Sequence, residues 1–265
     1  VITVGYDIAE HDPADWNPSA DTTIVHIDSE PAEVYEHYNP HVEVVCDLGA
    51  ALRELVECCY DFGIEFNTGW YSDLRDHIIE DVTRTPSAGD PFTVPGVLTL
   101  LRDVIDDDDV LISDVGSHKM EIAQNYLTYE PNTCIISNGL ASMGISVPGG
   151  IAADLALDSE VIAATGDGGF LMNAAEIETA TRLGCGYTIL LFNDNDYRLI
   201  SEKQIEHRGE KFGTSLTNPD YVTFAESFGI EGYRPEDWNG LEDSLRSAVS
   251  GDEITLIEVP LETSY

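Results

Sequence analysis

Apolar residues recur along this chain in two alternating patterns. Short continuous runs, such as Val161, Ile162, Ala163 and Ala164, suit strands buried on both faces. Between them, apolar residues stand three and four apart, as at Val97, Leu98, Leu101, Val104 and Ile105, which is the spacing of one helix face. Together they predict strands over 110–113, 134–136, 161–165, 187–192 and 255–259. They predict helices over 95–105, 119–126, 144–155, 173–183, 221–228 and 241–250. Such alternation predicts a parallel sheet with helices on both faces, a doubly wound α/β domain over residues 92–265.

Residues 1–62 repeat the pattern on a smaller scale, with strands over 1–4, 23–27 and 42–46 and a helix over 48–58. They read as part of a smaller α/β domain. The first strand reads as buried, and its start at Val1 predicts a fragment of a longer protein. Residues 63–91 read as a linker: a short helix over 71–82 is flanked by Gly69 and by the turn-rich Pro86, Ser87, Ala88, Gly89, Asp90 and Pro91.

Composition narrows the function. With 43% hydrophobic residues the chain can bury a real core. Fifty acidic residues face twelve basic ones, a net charge of −38. The acids recur along the whole chain instead of forming one tail, which predicts an adaptation to concentrated salt, where self-repulsion is screened. A nucleic-acid partner is excluded, because nothing here neutralises a row of phosphates. No apolar run reaches the roughly 18 residues of a membrane span, and no signal peptide is visible. The expected location is cytoplasmic. The five cysteines (Cys46, Cys58, Cys59, Cys134 and Cys185) are read as reduced and mostly buried.

The densest chemistry lies between residues 161 and 196. The strand over 161–165 runs into Gly166, Asp167, Gly168 and Gly169. A helix follows, with Asn173 as expected N-cap and Glu176 completing a capping box. Gly184 ends it, and the next strand runs into Asn193, Asp194, Asn195 and Asp196. The crossover of such a unit is right-handed, so both strand ends lie on one edge. Asp167 and Asp194, 194 − 167 = 27 positions apart, therefore meet at the edge where α/β sheets bind ligands. Two adjacent carboxylates repel unless a cation lies between them. Magnesium is the candidate, since it takes few protein carboxylates when diphosphate oxygens supply the rest. Gly166, Gly168 and Gly169 let backbone amides approach the anion.

This constellation resembles the cofactor motif of thiamine-diphosphate-dependent enzymes. In that family the first acid and a residue 27 positions later ligate magnesium, with a backbone carbonyl two residues further on. Carried over, the ligands are Asp167, Asp194 and the carbonyl of Asp196. The family usually has asparagine where Asp194 stands; aspartate is found in the catabolic, flavin-independent acetolactate synthases. Residues 137–144, with Ala141 and Met143, resemble the loop under the aminopyrimidine ring, where a bulky residue wedges the cofactor into a bent shape. Gly116, Ser117 and His118, in the loop opened by Asp114, resemble the other diphosphate-contacting loop. Residues 1–62 resemble the second half of the family's middle domain.

The resemblance implies an acetolactate-synthase-like carboligase that decarboxylates pyruvate and condenses it with a second 2-oxo acid. Thiamine diphosphate and magnesium are the implied cofactors, and a homo-oligomer, dimer or tetramer, is the implied assembly. Substrate-side contacts are expected from residues 197–204; Lys203 stands near the place of a tryptophan in the biosynthetic enzymes. The family's pyrimidine-binding domain, with its activating glutamate, has no counterpart here, so the isolated chain is expected to be inactive and no catalytic residue is assigned in it. The alternatives are another thiamine-dependent decarboxylase or carboligase, or a non-catalytic cofactor-binding module. A dinucleotide-binding dehydrogenase is disfavoured, because no Gly-x-Gly-x-x-Gly follows the first strand.

Overall fold

In the computed structural model, which describes residues 1–8 and 11–262, the chain divides into two compact units, Val1–Leu74 and Arg75–Tyr265. The first is a three-stranded parallel sheet, β1 (Ile2–Val4), β2 (Val25–Asp28) and β3 (Val42–Val45), in the order β1-β2-β3. A short helix α1 (Pro13–Trp16), capped by Asp12, follows β1, and α2 (Leu48–Asp61), capped by Asp47, follows β3. Helix α3 (Gly69–Val82) spans the division. The expected buried strand at the start is instead an edge strand with only Thr3 buried; Val1, Ile2 and Val4 are exposed. Its apolar residues satisfy strand propensity without being covered by any neighbouring element of this unit.

The second unit is built on six parallel strands in the order β5-β4-β6-β7-β9-β8. They are β4 (Val110–Ser113), β5 (Cys134–Ile136), β6 (Val161–Gly166), β7 (Thr188–Asn193), β8 (Glu231–Tyr233) and β9 (Thr255–Pro260). Consecutive residues of β6 serve opposite faces, as side-chain alternation requires. Ile162 and Ala164 pack with Val97, Leu98, Leu101, Leu241 and Leu245. Val161 and Ala163 pack with Val147, Ile151, Phe170, Ile177 and Tyr221. Helices α4 (Val94–Arg102) and α11 (Trp238–Val249) thus cover one face. On the other lie α6 (Ser146–Asp154), α7 (Asp167–Asn173), α8 (Glu176–Leu183) and α10 (Tyr221–Ser227). Helix α5 (Ser117–Asn125) sends Ile122 into the first face, and α9 (Arg198–Arg208) follows the loop after β7. This is the doubly wound α/β architecture that the patterning predicted.

Two expectations are corrected. Asn173 does not cap a helix: the chain enters α7 directly at Asp167, breaks at Ala174 and Ala175, and resumes as α8 without a side-chain cap. The Asn173 amide instead donates to the Gly144 carbonyl at 2.7 Å, so a cross-loop bond replaces the capping box. The cysteines are all free, but only Cys185 is buried and Cys58 is exposed. Cys58 and Cys59 lie on α2, which buries only Ala51. Among the described residues no helix is long and apolar enough to cross a membrane.

Candidate functional site

The chain steps from β4 to β5 on one side and to β6 on the other, so the sheet order reverses between β4 and β6. Ligand crevices of open α/β sheets lie at the carboxyl ends of strands at such a point. Ser113 is level with Ala164, and Gly166 with Phe192. The residues just beyond these strand ends, Asp114, Asp167 and Asp194, are thereby brought to one edge. A cavity opens there. Gly116, Ser117, His118, Met143, Gly166, Asp167, Gly168, Gly169, Asp194 and Asp196 all line it. Of the cofactor and metal residues expected from the sequence, Ala141 is not in the lining; it lies in the loop before Met143 with φ of 40°.

The glycines have a packing role the sequence did not reveal. A Cβ on Gly168 would come within 2.4 Å of the Tyr197 ring, and one on Gly169 within 3.2 Å of the Asp114 carboxylate. Asp114 itself is fully buried. Its Oδ1 accepts from the amides of Val115 and Gly144, and its Oδ2 from the amide and hydroxyl of Ser146 and the hydroxyl of Thr165. One carboxylate thus joins the loop after β4, the loop before α6 and the end of β6.

The two expected metal ligands are held carboxylates. Asp167 Oδ1 accepts from the Gly168 amide at 2.9 Å and Oδ2 from Asn218 Nδ2 at 2.6 Å. Asp194 Oδ1 accepts from the Asp196 amide at 3.1 Å. Burial raises the pKa of both; for Asp194, burial and then the charge of Asp167 push it up to about 6. Asp196 differs. Its carboxylate turns inward to the Ser201 hydroxyl at 2.6 Å and Lys211 at 3.0 Å. Among the described residues no three His, Cys, Asp or Glu side chains form a metal-holding group. Two carboxylates and a carbonyl are a partial set, of the kind magnesium accepts when ligand oxygens and water complete it.

His118 is buried and its Nε2 has no hydrogen-bond partner in the protein. Burial pushes its pKa down to about 4 against the opposing effect of Asp114, so the ring is neutral at pH 7. Its Nε2, a buried ring nitrogen at the cavity wall without a protein partner, is a group that a bound ligand would satisfy. The segment after the metal loop contributes Tyr197, Arg198, Leu199 and Ile200 to the cavity. Lys203 is not in the lining; it pairs with Glu206 at the surface. Asn218, which no sequence signal singled out, and Glu258, which receives Asn193 Nδ2 at 2.7 Å and pairs with Arg234 at 2.6 Å, brace the ends of β6 and β7.

Residues 114–259 match the family model of the thiamine pyrophosphate enzymes, described as their C-terminal TPP binding domain. The chain belongs to the thiamine pyrophosphate enzymes. The domain that matches carries the whole of the cavity lining except Leu261, and thiamine diphosphate is the cofactor of this thiamine pyrophosphate enzyme chain. It is 32% identical to the acetolactate synthase of Bacillus subtilis (strain 168), over all of this chain and 47% of that protein. It is 30% identical to the catabolic acetolactate synthase of Raoultella terrigena, over 99% of this chain and 47% of that one. A probable acetolactate synthase large subunit of Methanococcus aeolicus is 29% identical, again over 47% of its length. The chain therefore spans about half the length of these relatives.

Proposed function

We propose that this chain is the cofactor-anchoring portion of a thiamine-diphosphate- and magnesium-dependent carboligase of the acetolactate synthase type. It acts in decarboxylating pyruvate and joining the product to a second 2-oxo acid. The observation that carries this reading is the pairing of Asp167 and Asp194 on one glycine-walled cavity beside the unpartnered His118 Nε2. Asp167, Asp194 and the Asp196 carbonyl would hold magnesium. Gly116, Ser117, His118, Gly166, Gly168 and Gly169 would receive the diphosphate, with Ala141 and Met143 in the loop beneath the ring. When bound, the cofactor supplies an electron sink for the carbon left by decarboxylation. Phe192, Leu199, Ile200 and Leu261 give the cavity apolar walls. The catabolic relative and the acid at Asp194 support the catabolic type. The activating glutamate is assigned to a pyrimidine-binding domain outside these residues, and the working assembly to a homo-oligomer, a dimer or tetramer, in the cytoplasm of a salt-adapted cell.

Product analysis with pyruvate, magnesium and thiamine diphosphate tests this. Acetolactate is expected from a protein that joins this chain to a glutamate-bearing pyrimidine domain, and none from the 265 residues alone. Acetaldehyde without acetolactate would contradict the assignment.

The raised pKa of Asp194 makes the site sensitive to pH. Its folded value, about 6, lies above its ordinary 3.8, so between these values the folded chain holds more protons than the unfolded one. Metal-free stability therefore loses this contribution as pH rises from about 4 to about 6. A proton on Asp194 also competes with the cation. Magnesium affinity is expected to fall as pH drops below 6, by up to about tenfold per unit. Titrating magnesium-dependent cofactor binding at pH 5 and pH 7 checks the direction.

A further inference from the structure

We propose that Asn218 is a positioning residue for the bound cation: its amide nitrogen aims Asp167, and its side-chain oxygen accepts a hydrogen from a metal-bound water. This rests on the reading of Asp167 and Asp194 as magnesium ligands. Asn218 lies in the connection between α9 and α10. That connection is laced to the metal loop by two backbone hydrogen bonds that make an antiparallel bridge between Asp196 and Ser215: the Thr214 carbonyl accepts from the Tyr197 amide at 3.0 Å and the Asn195 carbonyl from the Leu216 amide at 2.8 Å. The lacing brings Asn218 to the ends of both β6 and β7.

There Nδ2 lies 2.6 Å from Asp167 Oδ2, 2.9 Å from Asn193 Oδ1 and 3.2 Å from Asn195 Oδ1. Three acceptor oxygens around one nitrogen fix which end of the amide faces them, since an oxygen in that place would meet only acceptors. With Oδ1 bonded to the Gly168 amide, the Asp167 carboxylate is held at both oxygens and cannot rotate. The opposite end of the Asn218 amide, Oδ1, is buried and has no partner in the protein. A buried acceptor without a donor is costly. Magnesium keeps several of its waters when bound, and such a water is a donor of the required kind beside Asp167. Residues that orient first ligands in this way set the affinity of a metal site.

The test is binding of Mn²⁺, as a spectroscopic substitute for magnesium, to the 265-residue chain with thiamine diphosphate present, read by electron paramagnetic resonance. Asn218→Ala is expected to weaken Mn²⁺ binding by about 10–100-fold in a variant that still folds without metal. Asn218→Ser, whose hydroxyl is too short to reach Asp167, is expected to weaken it similarly and serves should the alanine variant fold poorly. Equal affinity in the folded variants, or a loss of metal-free stability with affinity retained, would overturn the proposal and leave the metal site standing. If the unsubstituted chain itself binds no Mn²⁺ in a cofactor-dependent way, the ligand reading fails and the role of Asn218 fails with it.

Discussion

Asp167→Asn is expected to weaken magnesium-dependent binding of thiamine diphosphate by about 100-fold or more, while the metal-free fold is kept. Residues that only orient metal ligands cost about 10–100-fold when removed, so loss of a charged ligand should reach or pass the upper end of that range. The metal-free protein should tolerate the change, because it removes a charge from a costly place. The Asp167 side chain is almost fully buried, and its charge helps push Asp194 up to about 6. The neutral amide relieves that repulsion, and its oxygen can still accept from Gly168 or Asn218. Calorimetric titration with magnesium and cofactor, set beside thermal unfolding in chelator, separates the two effects. Unchanged affinity would remove Asp167 from the site.

Asp114→Ala is expected to destabilise the second unit by about 3–5 kcal/mol and to abolish cofactor binding in whatever remains folded. Each buried donor left without an acceptor costs about 1–3 kcal/mol. This carboxylate serves the amides of Gly144 and Ser146 and the hydroxyl of Ser146 in the protein interior. The same bonds set the geometry of the cavity. Val115–His118 lie directly after Asp114, Gly144 follows Met143, and Thr165 leads into Gly166. Asp114→Asn, which keeps one acceptor, should lose less. Urea unfolding of both variants checks the order, and a cost below about 1 kcal/mol for the alanine variant would contradict this role.

Much of the second unit was legible because its strands are buried on both faces and its helices carry a clear apolar stripe. The run from Val161 to Ala164 could only be a central strand, and the acids placed 27 apart followed from the crossover. Strand β8 escaped, since Glu231–Tyr233 is three residues long and has no apolar run. Helix α9 escaped as a full element because Arg198–Arg208 is polar and buries only Ser201. Asn173 looked like a cap by type and spacing, but a loop 29 residues away claimed its amide. At the site, the acids and glycines that line the cavity were legible because the expected chemistry needs them at fixed spacing. Their supports were not. Asn218 and Glu258 reach the site across 51 and 65 residues of chain, and an asparagine or a strand glutamate carries no local signal for such a contact. The first unit was read less well, because Ile2, Val42 and Val44 satisfy a strand pattern while remaining exposed.

The central claim is that the ends of β6 and β7 form a magnesium–diphosphate site. It is tested most directly by titrating the chain with thiamine diphosphate, and in parallel with thiamine, in magnesium and again in chelator. The predicted result is heat of binding for thiamine diphosphate with magnesium alone, lost in chelator and absent for thiamine. Binding of thiamine diphosphate that persists in chelator, or equal binding of thiamine, would contradict it.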